Sequence, residues 1–341
     1  MMLGDNIINK GAVANQYSQE VMTSFGKPFP IVFVKGDGVY LTDLDGKRYL
    51  DFWAGIATIN LGHNNSQVQA AVKHQMDALV HCASESYYTL PALELAKTLN
   101  KLAPFNACKS TFHTSGSEAN DLAIKLIRRH SKKHEVLTLQ GSYHGQTYGA
   151  RSLGTPVAGY SKAASMGPFL PGIIHVPTPY CYRCSLGYTY PSCHFQCVEI
   201  VEDIINFATM RDVAAFMAEP ILGVGGIVTP PPEYFGKLKT LLDRHDIRLI
   251  LDEVQTGLGR TGKLWGSQTY DVQPHLITLA KALGNGWPIA AVTSSNAISD
   301  AFEHGDHFST WGAHPVMCAA AKATLDYLMK YKLWENAEAM G

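Results

Sequence analysis

The sequence predicts an α/β fold, a mostly parallel sheet sandwiched between helices, and three observations lead there. The 341 residues are 46% apolar and only 17% charged, enough for a large folded core at a length that suits two domains or one large α/β domain with an appendage. From about residue 110 onward, short apolar runs alternate with amphipathic helical runs, the text of strands joined by helices. Polar residues follow several of the apolar runs directly, and in open α/β sheets ligands bind beyond the carboxyl ends of strands.

In chain order, Pro30–Val34, Val39–Thr42 and Arg48–Phe52 are separated by Asp-Gly turns and read as a small β-meander. Val68–Leu79 and Leu90–Leu102 have helical spacing. The strands of the main sheet are then expected at Ser110–His113, Val136–Leu139, Ile173–Val176, Ala214–Ala218, Arg248–Leu251, Leu276–Leu279 and Ile289–Thr293. Helices are expected at Glu118–His130, Val198–Ala208, Tyr234–Asp243 and Pro315–Met329. The polar strand ends are Thr114-Ser115-Gly116, Glu219, Asp252 and Lys281, which suggests one shared site.

Charge and composition exclude several functions. With 28 Lys+Arg against 29 Asp+Glu the formal net charge is −1, so there is no basic footprint for nucleic acid. The start, MMLGDNIINKGAVANQ, lacks the pattern of a secretory signal, and no run of ~18 apolar residues predicts a membrane span. An odd number of cysteines, seven, fits a reduced cytoplasmic compartment better than a disulfide framework.

Each motif has a functional and a structural reading. Ser115-Gly116-Ser117-Glu118 fits a capping box opening a helix, and the free amides of a helix start beside a glycine also suit a phosphate. Lys281 ends a buried strand, where a partly desolvated lysine makes a good Schiff-base amine; at a solvated turn it would do nothing. Tyr143-His144-Gly145 follows a strand, where the aromatic ring either packs or stacks on a flat cofactor. The run Gly257–Lys263 nearly matches a phosphate loop and also G-x-G-x-x-G, but Leu264 stands where Ser or Thr is needed and the acidic strand comes first. Cys181, Cys184, Cys193 and Cys197 read as a free-thiol loop insertion, with structural zinc as the alternative. No H-E-x-x-H or G-x-S-x-G pattern indicates a catalytic metal or a serine hydrolase.

Taken together, T-S-G-S-E-A-N at 114–120, S-Y-H-G at 142–145, A-E-P at 218–220, L-I-L-D-E-V-Q-T-G-L-G-R-T-G at 249–262 and L-A-K-A-L-G-N-G at 279–286 resemble class III (omega-type) pyridoxal-phosphate aminotransferases, of fold type I. The resemblance runs from about Pro30 to the end. It implies that residues 1–60 begin a small domain, 61–330 form the large cofactor-binding domain, and 331–341 begin the remainder of the small one. Similar proteins continue for about 100 residues more, roughly one small domain, so the resemblance implies a truncated chain. The arginine expected for the substrate's α-carboxylate, and to pair with Glu219, would lie in that further part.

The resemblance also implies roles. Lys281 would form the aldimine with pyridoxal 5′-phosphate and then move the proton, and Asp252 would pair with the ring nitrogen. Gln255 would lie by the ring's phenolic oxygen. Gly116 and Ser117 would hold the phosphate, and Tyr143, with His144 beside it, would cover the ring. Thr310 would reach the phosphate of the other subunit of a homodimer, although Gly312-Ala313-His314-Pro315 departs from the Gly-Gly-Asn-Pro of many members. Asp51–Ala57 would line the substrate pocket. The activity implied is ping-pong transfer from a small-molecule amino donor, an amino acid or omega-amino acid, to a 2-oxo acid. A racemase or epimerase using the same Lys281 and Asp252 is the main rival, beside an inactive fragment and a nicotinamide dehydrogenase built on Gly257 and Gly259.

Overall fold

The structure is a computed structural model, and it describes residues 9–22, 28–84, 86–155 and 167–341. The opening segment read for a secretory signal lies partly outside the described residues. Eleven α-helices and ten strands are described: α1 Lys10–Glu20, β1 Phe33–Asp37, β2 Tyr40–Asp43, β3 Arg48–Leu50, α2 Ala54–Ala57, α3 Ser66–Ala78, α4 Leu90–Leu102, β4 Cys108–His113, α5 Gly116–Ser131, β5 Glu135–Leu139, α6 Tyr148–Leu153, β6 Ile173–Val176, α7 Gln196–Phe207, β7 Val213–Ala218, α8 Tyr234–Arg244, β8 Arg248–Asp252, β9 Leu276–Leu279, β10 Ala290–Ser295, α9 Asn296–Ser299, α10 Pro315–Tyr331 and α11 Leu333–Met340.

Strands β1–β3 form the expected antiparallel meander, but β1 starts three residues later than its apolar run. Asp37 pairs with Tyr40, which leaves Gly38-Val39 as a two-residue turn. Gly38 takes φ +55, a left-handed conformation that favours glycine at the first turn position. The turn chemistry therefore sets the register, and the strand continues through Gly36-Asp37.

The main sheet has seven strands in the order β4-β10-β9-β8-β7-β5-β6. Pairings β5–β6, β5–β7, β7–β8 and β8–β9 are parallel, whereas β10 runs antiparallel to both β9 and β4. Strand β4 therefore points the same way as β9, and the carboxyl ends of β4, β5, β7, β8 and β9 share one edge. Strand β8 shows why the sheet is covered on both faces: Leu249 and Leu251 join the core under α7, α8 and α10, while Ile250 joins the core under α5. All three are fully buried, as the two-residue side-chain period requires of a central strand. Among the described residues no helix is long and apolar enough to cross a membrane.

Candidate active site

A cleft of about 350 Å³ lies at that shared edge, and loops from five strand ends line it. From β4 comes the start of α5. Ser115 Oγ accepts from the Glu118 amide at 3.3 Å, and Glu118 reaches back to the amides of Thr114 and Ser115, the capping box read from sequence. Gly116 and Ser117 occupy the first turn, where amides have no intrahelical acceptor. A Cβ on Gly116 would meet the Val254 methyls at 3.1 Å, so the glycine leaves the floor of the cleft open. Ser117 Oγ accepts from the Gln146 amide at 3.1 Å, which fixes the oxygen and leaves its hydrogen for a ligand.

Asp252 ends β8 and is 4% exposed. Its Oδ1 accepts from the Val254 amide at 3.0 Å, and its Oδ2 lies 2.8 Å from both Asn120 Nδ2 and His144 Nδ1. Asn120 also donates to the His144 carbonyl at 2.6 Å, so it ties the acid and the histidine loop together. His144 is fully buried, and its Nε2 stands 3.4 Å from Thr138 Oγ. Glu219, after β7, accepts from the amides of Tyr143 at 3.0 Å and Gly223 at 2.9 Å. Burial, with Asp252 adding to it, holds the Glu219 carboxyl above the usual range against the pull of His144.

Lys281 follows β9, and its Nζ donates to Gln255 Oε1 at 2.9 Å. Burial holds its ammonium below the ordinary lysine range, opposed by the carboxylates of Asp252 and Glu219 and reinforced by Arg260. Its backbone is at φ +41, a conformation that costs a non-glycine residue about 1–3 kcal/mol.

Eight of the nine expected cofactor residues thus meet in one cleft: Gly116, Ser117, Tyr143, His144, Glu219, Asp252, Gln255 and Lys281. Thr310 does not line it; it is exposed on the loop before α10. No residue of the early segment Asp51–Ala57 lines the cleft: Phe52, Trp53 and Ile56 point to solvent, Asp51 pairs with His63 at 2.8 Å, and the next residue, Thr58, reaches the cleft instead. Asn120, Thr58, Val254 and Trp287 were not singled out from sequence. Asn120 had a usable signal, since it lies four residues after Gly116, on the same helix face.

The Gly257–Gly262 run passes through turns into a short 3₁₀ turn, Gly266–Tyr270, so no helix follows it to complete a phosphate loop. The four clustered cysteines line a separate cavity of about 20 Å³, and burial pushes Cys197 up to about 12. Among the described residues no group of three or more His, Cys, Asp or Glu is arranged to hold a metal ion.

The donor set fits pyridoxal 5′-phosphate. A helix start opened by glycine suits a dianion, a buried carboxylate suits a protonated ring nitrogen, and a lysine of lowered pKa suits an aldehyde. Residues 21–341 match the class III aminotransferase family. A leucine/methionine racemase of Thermococcus litoralis is 39% identical over 313 residues, 92% of this chain and 70% of its own. An acetylornithine aminotransferase of Methanothermobacter thermautotrophicus is 39% identical over 315 residues, 92% of this chain and 73% of its own. An amine transaminase of an uncultivated Pseudomonas species, solved in its PLP-bound form, superposes with a TM-score of 0.84 at 32% identity, covering 93% of this chain and 75% of that one. The chain belongs to the class III aminotransferases, and it is a pyridoxal-phosphate-dependent enzyme that moves amino groups between small molecules.

Proposed function

We propose that this cleft carries out transamination with Lys281 as the amine and proton carrier and Asp252 as the ring-nitrogen acid. The observation that carries the reading is that Lys281 and Asp252, 29 positions apart and at the carboxyl ends of different strands, line the same cleft. Pyridoxal 5′-phosphate, when bound, supplies the carbonyl that takes up the amino group and a ring that accepts the electron pair left by the departing proton. Gly116 and Ser117 would hold its phosphate, Tyr143 and Val254 would wall its ring, and Gln255 would lie by its phenolic oxygen.

The chain's own groups then divide the work. Asp252, gathered by Asn120, His144 and the Val254 amide, would keep a proton at the ring nitrogen. Lys281 Nζ, held by Gln255, would take the proton from the substrate carbon and return it to the cofactor carbon. Its lowered pKa raises the share of neutral amine at working pH. Glu219 fixes the Tyr143 backbone and so sets the aromatic wall. The oxo product of the donor leaves, and a 2-oxo acid such as pyruvate, glyoxylate or 2-oxoglutarate takes the amino group. A spectral half-reaction screen tests this: donor amines should bleach the visible band of the holoenzyme with release of the matching oxo compound, a 2-oxo acid from an amino acid or an aldehyde from an omega-amino acid, and a 2-oxo acid should restore it. Bleaching by no amine would contradict the reading.

A second reading has its own support, the 39% identity to a leucine/methionine racemase. There the same lysine would return the proton to the substrate carbon without release of a 2-oxo acid. Loss of optical activity from one pure enantiomer, with no 2-oxo acid present, would select it.

Homodimerisation belongs to the proposal. Phe308 and Trp311 lie exposed beside Thr310 in the chain, and a second copy covering them would bring Thr310 to the partner's phosphate site. The proposed compartment is the reducing cytoplasm, in keeping with seven unpaired cysteines.

A further inference from the structure

The turn that carries Lys281 is wound in an unfavourable way. Lys281 has φ +41, Asn285 φ +46 and Gly286 φ +100, three left-handed residues within six. Gly284 cannot take a side chain, because a Cβ there would collide with the Trp287 carbonyl. Backbone hydrogen bonds inside the turn, Leu283 to the Ala280 carbonyl at 2.8 Å and Gly284 to the Lys281 carbonyl at 3.2 Å, shape it but do not anchor it to the rest of the protein. A lysine has no intrinsic tolerance of positive φ, so the surroundings must hold this conformation.

One side chain in the turn makes a two-point contact outside it. Asn285 Oδ1 accepts from the Leu61 amide at 2.9 Å, and Asn285 Nδ2 donates to the Gly62 carbonyl at 3.1 Å. Both ends of one carboxamide thus grip consecutive residues more than 220 positions away, and Asn285 is 8% exposed. The gripped segment is itself braced. Asn60 Nδ2 donates to the Leu258 carbonyl at 2.9 Å, on the loop that follows Asp252. Gly38 and His63 exchange backbone hydrogen bonds of 3.2 and 2.6 Å, and a Cβ on Gly62 would meet the Gly38 backbone at 3.1 Å. Residues 60–63 therefore form a crossbeam fixed to the Asp252 loop on one side and the small sheet on the other.

We propose that Asn285 is a positioning residue for Lys281: its carboxamide clamps the lysine turn to the Leu61–Gly62 backbone and so sets where Nζ stands in the cleft. This rests on Lys281 being the amine that holds the cofactor. Asparagine suits the place twice, since it tolerates left-handed φ and carries a donor and an acceptor on one short planar group.

Asn285→Gly isolates the clamp, because glycine keeps the backbone conformation and removes only the carboxamide. The holoenzyme is read by the pH midpoint of its visible absorbance, by kcat and KM for a donor amine, and by thermal midpoint. Expected are cofactor still bound, kcat reduced by about 10–100-fold from a misplaced Nζ, a nearly unchanged KM, and a displaced pH midpoint of the visible band. A wild-type pH midpoint and kcat, with only the thermal midpoint lowered, overturns the proposal. Should the glycine variant fail to fold, Asn285→Asp decides: it keeps the acceptor for the Leu61 amide and loses the donor to Gly62. An intermediate kcat and pH midpoint support the clamp, and wild-type values refute it. Reduction of the wild-type holoenzyme with borohydride separates the two layers. A tag on another lysine ends the reading of Lys281 itself, whereas a tag on Lys281 together with an indifferent Asn285→Gly ends only the clamp.

Discussion

Lys281 and Asp252 differ in how their surroundings hold them. Asp252 is surrounded by donors from three directions, so Asp252→Asn keeps the shape and removes the charge. Its kcat should fall by about 10²–10³-fold, on the scale of lost electrostatic stabilisation in a buried site, with cofactor still bound in equilibrium dialysis. Lys281 is held with its charge disfavoured. Between its lowered pKa and the ordinary 10.5, the unfolded chain binds a proton that the folded chain has shed. Lys281 thus contributes stability that is present above 10.5 and is lost as pH falls through the folded value. In cofactor-free protein, Lys281→Met should remove this rise of stability with pH. Thermal midpoints of both proteins across the alkaline range check it, and parallel curves would contradict it.

Helix α5 contributes through its first turn. Ser115→Ala breaks the capping box and should cost about 1 kcal/mol, read as a lower denaturant midpoint, and it should also weaken cofactor retention because the phosphate amides lose their frame. Strand β7 contributes through packing, since Phe216 at its centre is fully buried. Phe216→Ala should cost about 3–5 kcal/mol in the same measurement. Most of these elements were legible in the sequence because a buried strand ending in a polar residue is unusual, and Glu219, Asp252 and Lys281 all stand at such ends. The apolar run marks the place of strand β10 but carries no sign of its direction. The link from β9 holds only ten residues and no α-helix, too short for the usual crossover between parallel strands, and the strand runs antiparallel. Asn285 is hidden for another reason: its partners lie more than 220 positions away, and no local pattern marks such a partner.

The whole molecule brings these parts to one edge of a seven-stranded sheet, with the small antiparallel sheet tied in through residues 60–63. Thr310 is the exception, since the resemblance expects it at a phosphate site yet it stands outside its own chain's cleft. If a second copy completes the site, light scattering should give twice the 37.3 kDa chain mass, and Thr310→Ala should weaken cofactor binding although the residue does not line the cofactor cleft of its own chain; a monomer that retains cofactor fully would contradict both. The most direct measurement remains borohydride reduction of the purified holoenzyme followed by peptide mapping. A reduced cofactor tag on Lys281 alone is the predicted result. A tag on any other lysine, or none in a protein that still turns over, would contradict the assignment of the cleft.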